Sequence, residues 1–140
     1  MTRILMAVSA FALLFSAHLQ AEVIHINNAQ LQELLDQNIP LIDVRTPPEW
    51  KQTGVVEGSH LMMFFDEKGQ ADVGGWLDQF SAIVVDKEQP VVLICRSGNR
   101  TARIAHFLSE QLGYDKIYNV QLGIRDWIRE GLPTVAPSEQ

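Results

Sequence analysis

The chain has 140 residues, of which 46% are hydrophobic, and its 17 acidic side chains outnumber its 11 lysines and arginines, which gives a net charge of −6. A moderately acidic chain without a basic run has no electrostatic basis for binding nucleic acid or an anionic membrane surface. The length suits one domain with its own core, and the single cysteine, Cys95, excludes an intramolecular disulfide.

The first 21 residues differ in composition from the rest of the chain. Arg3 gives a positive start, residues 4–15 are almost wholly apolar, and Ala21 is a small residue suited to cleavage. This pattern is typical of a secretory signal peptide, and its apolar core is short for a membrane span. We therefore predict a cleaved signal peptide over residues 1–21, a mature domain over residues 22–140, a periplasmic location and no membrane attachment after cleavage. An uncleaved membrane anchor is the alternative.

The rest of the chain alternates short apolar runs with segments of helical spacing. Apolar runs predict five strands, at residues 23–26, 40–44, near 61, 91–94 and 116–120. Capping residues and apolar periodicity predict helices that begin near residues 28, 46, 76, 101 and 123. Strands that alternate with helices predict an α/β fold, a five-stranded parallel sheet with helices on both faces and a functional site at the carboxyl ends of the strands.

Two short segments carry further expectations. Thr46-Pro47-Pro48-Glu49 combines an N-cap, prolines in the first turn and a capping-box acid, which predicts a short helix to about Gln52. The apolar run Met62–Phe65 is explained either by core packing or by a wall that contacts a substrate or partner.

Cys95 ends the strand over residues 91–94 and precedes the loop Arg96–Arg100, which leads into a helix predicted over residues 101–112. This order places the cysteine below the amino end of a helix, where unpaired backbone N–H groups and the positive end of the helix dipole lie. A free cysteine is mostly protonated at neutral pH, and the helix terminus together with the two arginines of the loop favours the thiolate. Because the loop has no histidine, aspartate or glutamate to act as a base, we expect electrostatics alone to stabilise the sulfur anion.

The loop resembles the active-site loop of the rhodaneses, the thiosulfate sulfurtransferases, in the sequence Cys95-Arg96-Ser97-Gly98-Asn99-Arg100-Thr101. The likeness continues in order and spacing at Asp43-Val44-Arg45, Glu49-Trp50, Gly54, Gly58, Asn119-Val120, Gly123-Ile124, Trp127 and Gly131-Leu132-Pro133. The resemblance implies a three-layer rhodanese-like domain over residues 22–140.

The resemblance also implies the roles of individual residues. It makes Cys95 the catalytic residue and assigns substrate binding to the loop that follows it, namely Arg96, Ser97, Gly98, Asn99, Arg100 and Thr101. It assigns structural support of this loop, through ion pairs, to Asp43, Arg45 and Glu49. The alternative for these three is an ordinary surface ion pair, worth less than about 1 kcal/mol.

One departure from the family pattern concerns the last helix. Relatives often have two glycines before it, and Leu122 here replaces the first of them. This substitution leaves open whether the backbone at that point lies close to the site.

The activity implied by the resemblance is that of a thiosulfate sulfurtransferase. Cys95 would take the outer sulfur of thiosulfate as a persulfide and pass it to a thiophilic acceptor, which is cyanide in the laboratory assay. Arg96, directly after the cysteine, is similar to thiosulfate-using rather than mercaptopyruvate-using members. The expected partners are these small molecules, without a cofactor or nucleic acid, and the expected protein is a monomer.

Two other functions are alternatives. One is a persulfide carrier or sulfur-binding module that passes sulfur to a protein acceptor. The other is a cysteine phosphatase, whose loop has five residues between cysteine and arginine, whereas four separate Cys95 from Arg100 here and Thr101 stands at the arginine's place. No metal site is predicted, because His25 and His60 have no partner at metal-ligand spacing.

Overall fold

The computed structural model describes residues 21–137, so residues 1–20 of the expected signal peptide and residues 138–140 lie outside the described part. The strands are β1 (Glu22–Ile26), β2 (Leu41–Asp43), β3 (His60–Leu61), β4 (Val91–Ile94) and β5 (Lys116–Val120). The helices are α1 (Asn28–Asp36), α2 (Pro47–Thr53), α3 (Val73–Ile83), α4 (Asn99–His106), which continues into the π-helical segment Phe107–Gln111, and α5 (Gly123–Arg129). Among the described helices, none is both long enough and apolar enough to cross a membrane.

The five strands form one parallel sheet in the order β1-β5-β4-β2-β3, which confirms the predicted sheet. Strand β4 lies at its centre, and all four of its side chains are buried. Successive side chains of a strand point to opposite faces, so Val91 and Leu93 pack into one apolar cluster while Val92 and Ile94 pack into the other. The central strand therefore contributes to the cores on both faces and delivers Cys95 to the carboxyl edge of the sheet.

The two cores account for the helices on the two faces. Residues of α3 and α4 pack on one face, among them Phe80 and Ile104. Residues of α1 and α5 pack on the other, among them Leu31 and Trp127. Trp127 is 4% exposed, as expected for a core residue.

Helix α4 differs from the prediction at both of its ends. It begins at Asn99 rather than Thr101, because Gly98 adopts a left-handed conformation (φ 90°) and ends the loop early. After His106 the chain continues as a π-helix over Phe107–Gln111 instead of as an α-helix. With this earlier start, the N-cap residue of α4 is Gly98, whose backbone N–H donates to the Cys95 sulfur.

The apolar run Met62–Phe65 divides between core and surface. Met62 and Phe64 are buried, and the Trp76 indole Nε1 donates a hydrogen bond of 3.0 Å to the Met62 carbonyl. Met63 is 39% exposed. Core packing therefore explains two members of the run, and Met63 faces solvent.

Candidate active site

Cys95 follows the central strand, and its sulfur is surrounded by groups from the loop and from α4. The residue is 1% exposed. Its Sγ accepts a hydrogen bond of 3.1 Å from the backbone N–H of Gly98 and lies 3.3 Å from the Thr101 Oγ1. A backbone N–H directed at sulfur stabilises negative charge on it, so the arrangement suits a thiolate.

Gly98 makes this geometry possible. Its φ of 90° is a conformation that favours glycine, and a Cβ built there would collide with the carbonyl oxygen of Gln121. The Gly98 carbonyl accepts the first helical hydrogen bond of α4, from the Ala102 N–H at 3.0 Å. One glycine therefore directs an amide at the sulfur and begins the helix in the same turn.

The loop is also held by the amino end of α5. The N–H groups of Ile124 and Arg125 donate to the carbonyls of Cys95 and Arg96, at 2.9 and 3.1 Å. Gly123 allows the approach, because a Cβ there would collide with the backbone of Arg96. Leu122, which replaces the first glycine of the family pattern, is 54% exposed. One glycine is sufficient for the close backbone approach that the sequence left open.

Arg100 is bound to Glu49 of α2 by two hydrogen bonds, at 2.7 and 2.9 Å. Such a bidentate contact fixes the relative position of the two side chains. Glu49 also accepts a hydrogen bond of 3.0 Å from the Thr46 N–H, which is part of the predicted capping box. This carboxylate therefore caps α2 and ties it to the loop, and it partly neutralises the loop arginine.

Ionisation of this pair is strongly favoured. Partial burial opposes the charged form of Glu49, but the hydrogen bonds from Arg100 and Thr46, together with the charge of Arg100, outweigh it and lower the Glu49 pKa to about 2. Hydrogen bonding to Glu49 raises the pKa of Arg100 against the effect of burial, and negative charge on Cys95 contributes in the same direction. The pair is therefore charged at any physiological pH.

Asp43 and Arg45 form a second ion pair at the carboxyl end of β2, and this pair is buried. The side chains are 0% and 1% exposed, and an Arg45 terminal nitrogen lies 2.7 Å from an Asp43 oxygen. The surface-pair alternative is wrong for these two residues. Arg45 also donates to the Thr53 hydroxyl at 2.8 Å and to the Gly54 carbonyl at 3.0 Å. The buried pair thus holds the end of α2, the helix that carries Glu49.

The remaining loop side chains lie toward solvent. Arg96 and Asn99 are exposed, and Ser97 is half-buried. Arg96 lines an open cavity of about 360 Å³ together with the exposed Arg125 and Ile128 and with Glu49. Another cavity, of about 430 Å³, is lined by residues 63–79 and by none of the loop.

Sequence analysis missed three side chains of this region. It assigned no role to Arg125 or His25, and it named Asn119 only as part of the family resemblance. Asn119 hydrogen-bonds Thr101 and His25, and Arg125 shares a cavity with Arg96. The available signal was weak: Arg125 comes two residues after Gly123, and His25 and Asn119 are near the ends of predicted strands.

Within residues 21–137, no cluster of three or more histidine, cysteine, aspartate or glutamate residues could hold a metal ion.

The family model described as the rhodanese-like domain matches residues 27–130. The chain belongs to this family.

Relatives with named activities show the same affiliation. A sulfurtransferase of Allochromatium vinosum is 33% identical over 107 residues, which cover 76% of this chain and 88% of the relative. The thiosulfate sulfurtransferase GlpE of Actinobacillus pleuropneumoniae is 32% identical over 105 residues, covering 74% and 85%. The solution structure of a polysulfide-sulfur transferase homodimer from Wolinella succinogenes matches with a TM-score of 0.62 and 28% identity, covering 87% of this chain and 85% of that one. The relatives of this rhodanese-like chain thus include named sulfurtransferases.

We predict that Glu49→Gln lowers the free energy of unfolding at neutral pH by roughly 1–2 kcal/mol, because it weakens charged hydrogen bonds of a partly buried pair. The Glu49 pKa of about 2 lies below its ordinary value of 4.5. Its contribution is therefore fully present above the ordinary value and is lost as the pH falls through the folded value. Urea unfolding between about pH 2 and pH 7 should show that the wild-type protein loses more stability in acid than the variant does.

Glu88→Gln is the matched control, since Glu88 is exposed and forms no ion pair with the described residues. Stability curves that run parallel for wild type and Glu49→Gln would contradict the structural role of the pair.

Proposed function

We propose that this rhodanese-like protein is a thiosulfate sulfurtransferase that acts through a persulfide on Cys95. The observation that carries the proposal is the surrounding of the sulfur: an amide of the loop donates to Sγ, and the amino end of α4 lies beside it. The GlpE relative, named as a thiosulfate sulfurtransferase, supports the choice of donor. Dipoles preorganised around a sulfur anion stabilise both the nucleophile and the anionic persulfide that replaces it.

The reaction has two steps. The Cys95 thiolate attacks the outer sulfur of thiosulfate, a bond forms between the two sulfurs, and the bond to the sulfonate sulfur breaks so that sulfite leaves with the electron pair. The enzyme is left with a terminal persulfide anion. Cyanide, or a physiological thiophile, then attacks the terminal sulfur. The sulfur–sulfur bond breaks, thiocyanate or the corresponding product leaves, and the Cys95 thiolate is regenerated.

In this proposal Arg96 and Arg125 bind the thiosulfate donor. Both are exposed at the cavity beside the loop, and neither forms an ion pair with any residue of the described part. Arg100 contributes less directly, because its guanidinium is already bound to Glu49. Two unpaired guanidinium groups at a cavity next to the loop suit a small dianion such as thiosulfate.

The nearly complete burial of Cys95 supports sulfur transfer over phosphate cleavage. A residue that is 1% exposed admits a narrow group such as a terminal sulfur more readily than a tetrahedral phosphate. The pairing of Arg100 with Glu49 also leaves that arginine less available to clamp a phosphate. Both observations count against the phosphatase alternative.

A polysulfide is the second candidate donor. The Wolinella succinogenes structure that this chain resembles is named as a polysulfide-sulfur transferase. A polysulfide chain is narrow and anionic, so the same sulfur and the same arginines would serve it. Transfer of the persulfide sulfur to a protein thiol instead of a small molecule is the corresponding alternative for the second step.

We also propose that the protein is exported and acts in the periplasm, on the basis of the charged start and apolar core of its first 21 residues. The expected result is a periplasmic protein whose intact mass lacks residues 1–21. Periplasmic protein that retains these residues would contradict cleavage, and purely cytoplasmic protein would contradict export.

The persulfide is tested by intact mass. We predict that purified protein gains about 32 Da, one sulfur atom, after thiosulfate and loses it again after cyanide. Cys95→Ser should show neither the gain nor thiocyanate formation, because no other residue of the chain is a thiol. Transfer retained by that variant would refute the proposal, and a mass gain with polysulfide alone would select the second donor.

Steady-state kinetics test donor capture. Arg96→Ala and Arg125→Ala are each expected to raise the KM for thiosulfate by about threefold to tenfold with a smaller change in kcat, because an attraction of about 1 kcal/mol acts on the bound donor before the transition state. The effect should shrink as salt rises. Lys116→Ala is the matched control, since it removes one exposed positive charge at the amino end of β5. An equal effect of all three variants would show that only net charge matters.

A further inference from the structure

A row of hydrogen bonds connects the buried sulfur to an exposed histidine. Thr101 Oγ1 lies 3.3 Å from the Cys95 Sγ and donates to the Asn119 Oδ1 at 2.5 Å. The Asn119 Nδ2 lies 3.0 Å from the His25 Nδ1. Cys95, Thr101 and Asn119 are at most 1% exposed, whereas His25 is exposed at the edge strand β1.

The register of the sheet places the last two members side by side. His25 of β1 is the direct partner of Asn119 of β5, and paired residues of neighbouring strands point to the same face. Thr101 reaches Asn119 from the first turns of α4. The row therefore links two strands and the helix that begins over the sulfur.

The hydroxyl of Thr101 has only one proton. Two acceptors lie within reach, the Asn119 Oδ1 at 2.5 Å and the Gly98 carbonyl at 3.2 Å, and the shorter contact assigns the proton to Asn119. In this arrangement Thr101 can only accept a hydrogen bond from the sulfur. A Cys95 thiol satisfies this need by donating S–H to the Thr101 Oγ1. A thiolate or persulfide has no proton to donate, so it gains a second hydrogen bond, beside the one from the Gly98 N–H, only if Thr101 turns its hydroxyl to the sulfur.

If every hydrogen bond of the row is reversed, so that Thr101 donates to the sulfur, the last residue of the row, His25, has to be a donor. When Thr101 donates to sulfur, it can accept from the Asn119 amide N–H, and the amide oxygen of Asn119 then faces His25. The two ends of an asparagine amide have nearly the same shape, so both orientations fit the same heavy-atom positions. The flipped amide gives up only the long contact of 3.5 Å from its Nδ2 to the Gly98 carbonyl, which still accepts from the Ala102 N–H at 3.0 Å. The oxygen is satisfied only if the His25 Nδ1 carries a proton.

We propose that His25 is a positioning residue for the sulfur: a proton on its Nδ1 orients Asn119 and Thr101 so that the Thr101 hydroxyl donates to the anionic sulfur of Cys95. Buried hydrogen-bonding groups that are not satisfied are costly, so the state of one end constrains the other. The inference rests on the proposed role of Cys95 as the reacting sulfur and is independent of the donor.

Alkylation of Cys95 tests the inference without any sulfur donor. His25→Phe is expected to lower the iodoacetamide rate at neutral pH by roughly threefold to tenfold, the effect of one hydrogen bond to a charged group. In a Thr101→Val background, where the row is interrupted, the same substitution should have almost no effect. A through-space effect of the imidazole would be equal in both backgrounds.

Two further variants control this cycle. Thr101→Ser keeps the hydroxyl and should retain the sensitivity to His25→Phe. His60→Phe removes another exposed histidine, on β3, and should leave the alkylation rate unchanged. The proposal would be overturned if His25→Phe left the alkylation rate of the otherwise wild-type protein unchanged. It would also be overturned if His25→Phe lowered that rate equally in the Thr101→Val background.

Nitrogen NMR of the His25 ring is a second measurement, which requires only a variant at Cys95. At about pH 9 an ordinary imidazole is neutral and an ordinary cysteine is largely thiolate. We expect a proton on the Nδ1 of His25 in wild type and on the Nε2 in Cys95→Ser, whose neutral hydroxyl can donate to Thr101. The same tautomer in both proteins would overturn the proposal. If the tautomer shifts but the protein never gains sulfur from a donor, the inference about His25 stands while the sulfurtransferase proposal fails.

Discussion

The site depends on one turn of backbone that only glycine can make. At Gly98 the left-handed conformation and the carbonyl of Gln121 exclude a side chain. This turn directs the Gly98 N–H at Sγ and starts α4 at the next residue. The Gly98 carbonyl also lies within hydrogen-bond distance of the Thr101 Oγ1, at 3.2 Å. Any larger residue would have to move β5 or open the loop, and either change would take the amide away from the sulfur.

Several parts of the chain hold this turn in place, some by direct contact and some through a neighbouring element. The buried Asp43–Arg45 pair holds the end of α2, and α2 carries Glu49 to Arg100 of the loop. From the other side, the first N–H groups of α5 bind the carbonyls of Cys95 and Arg96. Removing one partner of a buried ion pair leaves an uncompensated charge, which costs roughly 3–5 kcal/mol. The loop therefore keeps its shape because its neighbours are themselves fixed.

Charge is distributed unevenly over the molecule. The chain as a whole carries a net charge of −6, yet the cavity beside the loop contains Arg96 and Arg125, which form no ion pair within residues 21–137. A local positive region attracts a small anion over short distances, while the overall negative charge disfavours nucleic acid and anionic membranes. Asp43, Arg45, Glu49 and Arg100, in contrast, are committed to structural ion pairs.

Short-range patterns in the sequence were sufficient for much of the fold. The buried strand before Cys95, the capping box at Thr46 and Glu49, and the alternation of strands with helices predicted the parallel sheet and placed the cysteine at its carboxyl edge. These features are readable because periodicity and capping depend on residues a few positions apart. The family motif added the roles expected of the loop residues, which local patterns alone could not supply.

Tertiary structure decided the contacts between distant residues. Glu49 and Arg100 are 51 positions apart, and His25 and Asn119 are 94 positions apart. Arg125 comes beside Arg96 only because α5 packs against the loop. Such neighbours are set by strand register and by the packing of helices on the sheet, and no local periodicity encodes them. The sequence by itself therefore determined the fold and the position of the single cysteine on it, whereas the tertiary structure decided which side chains surround its sulfur.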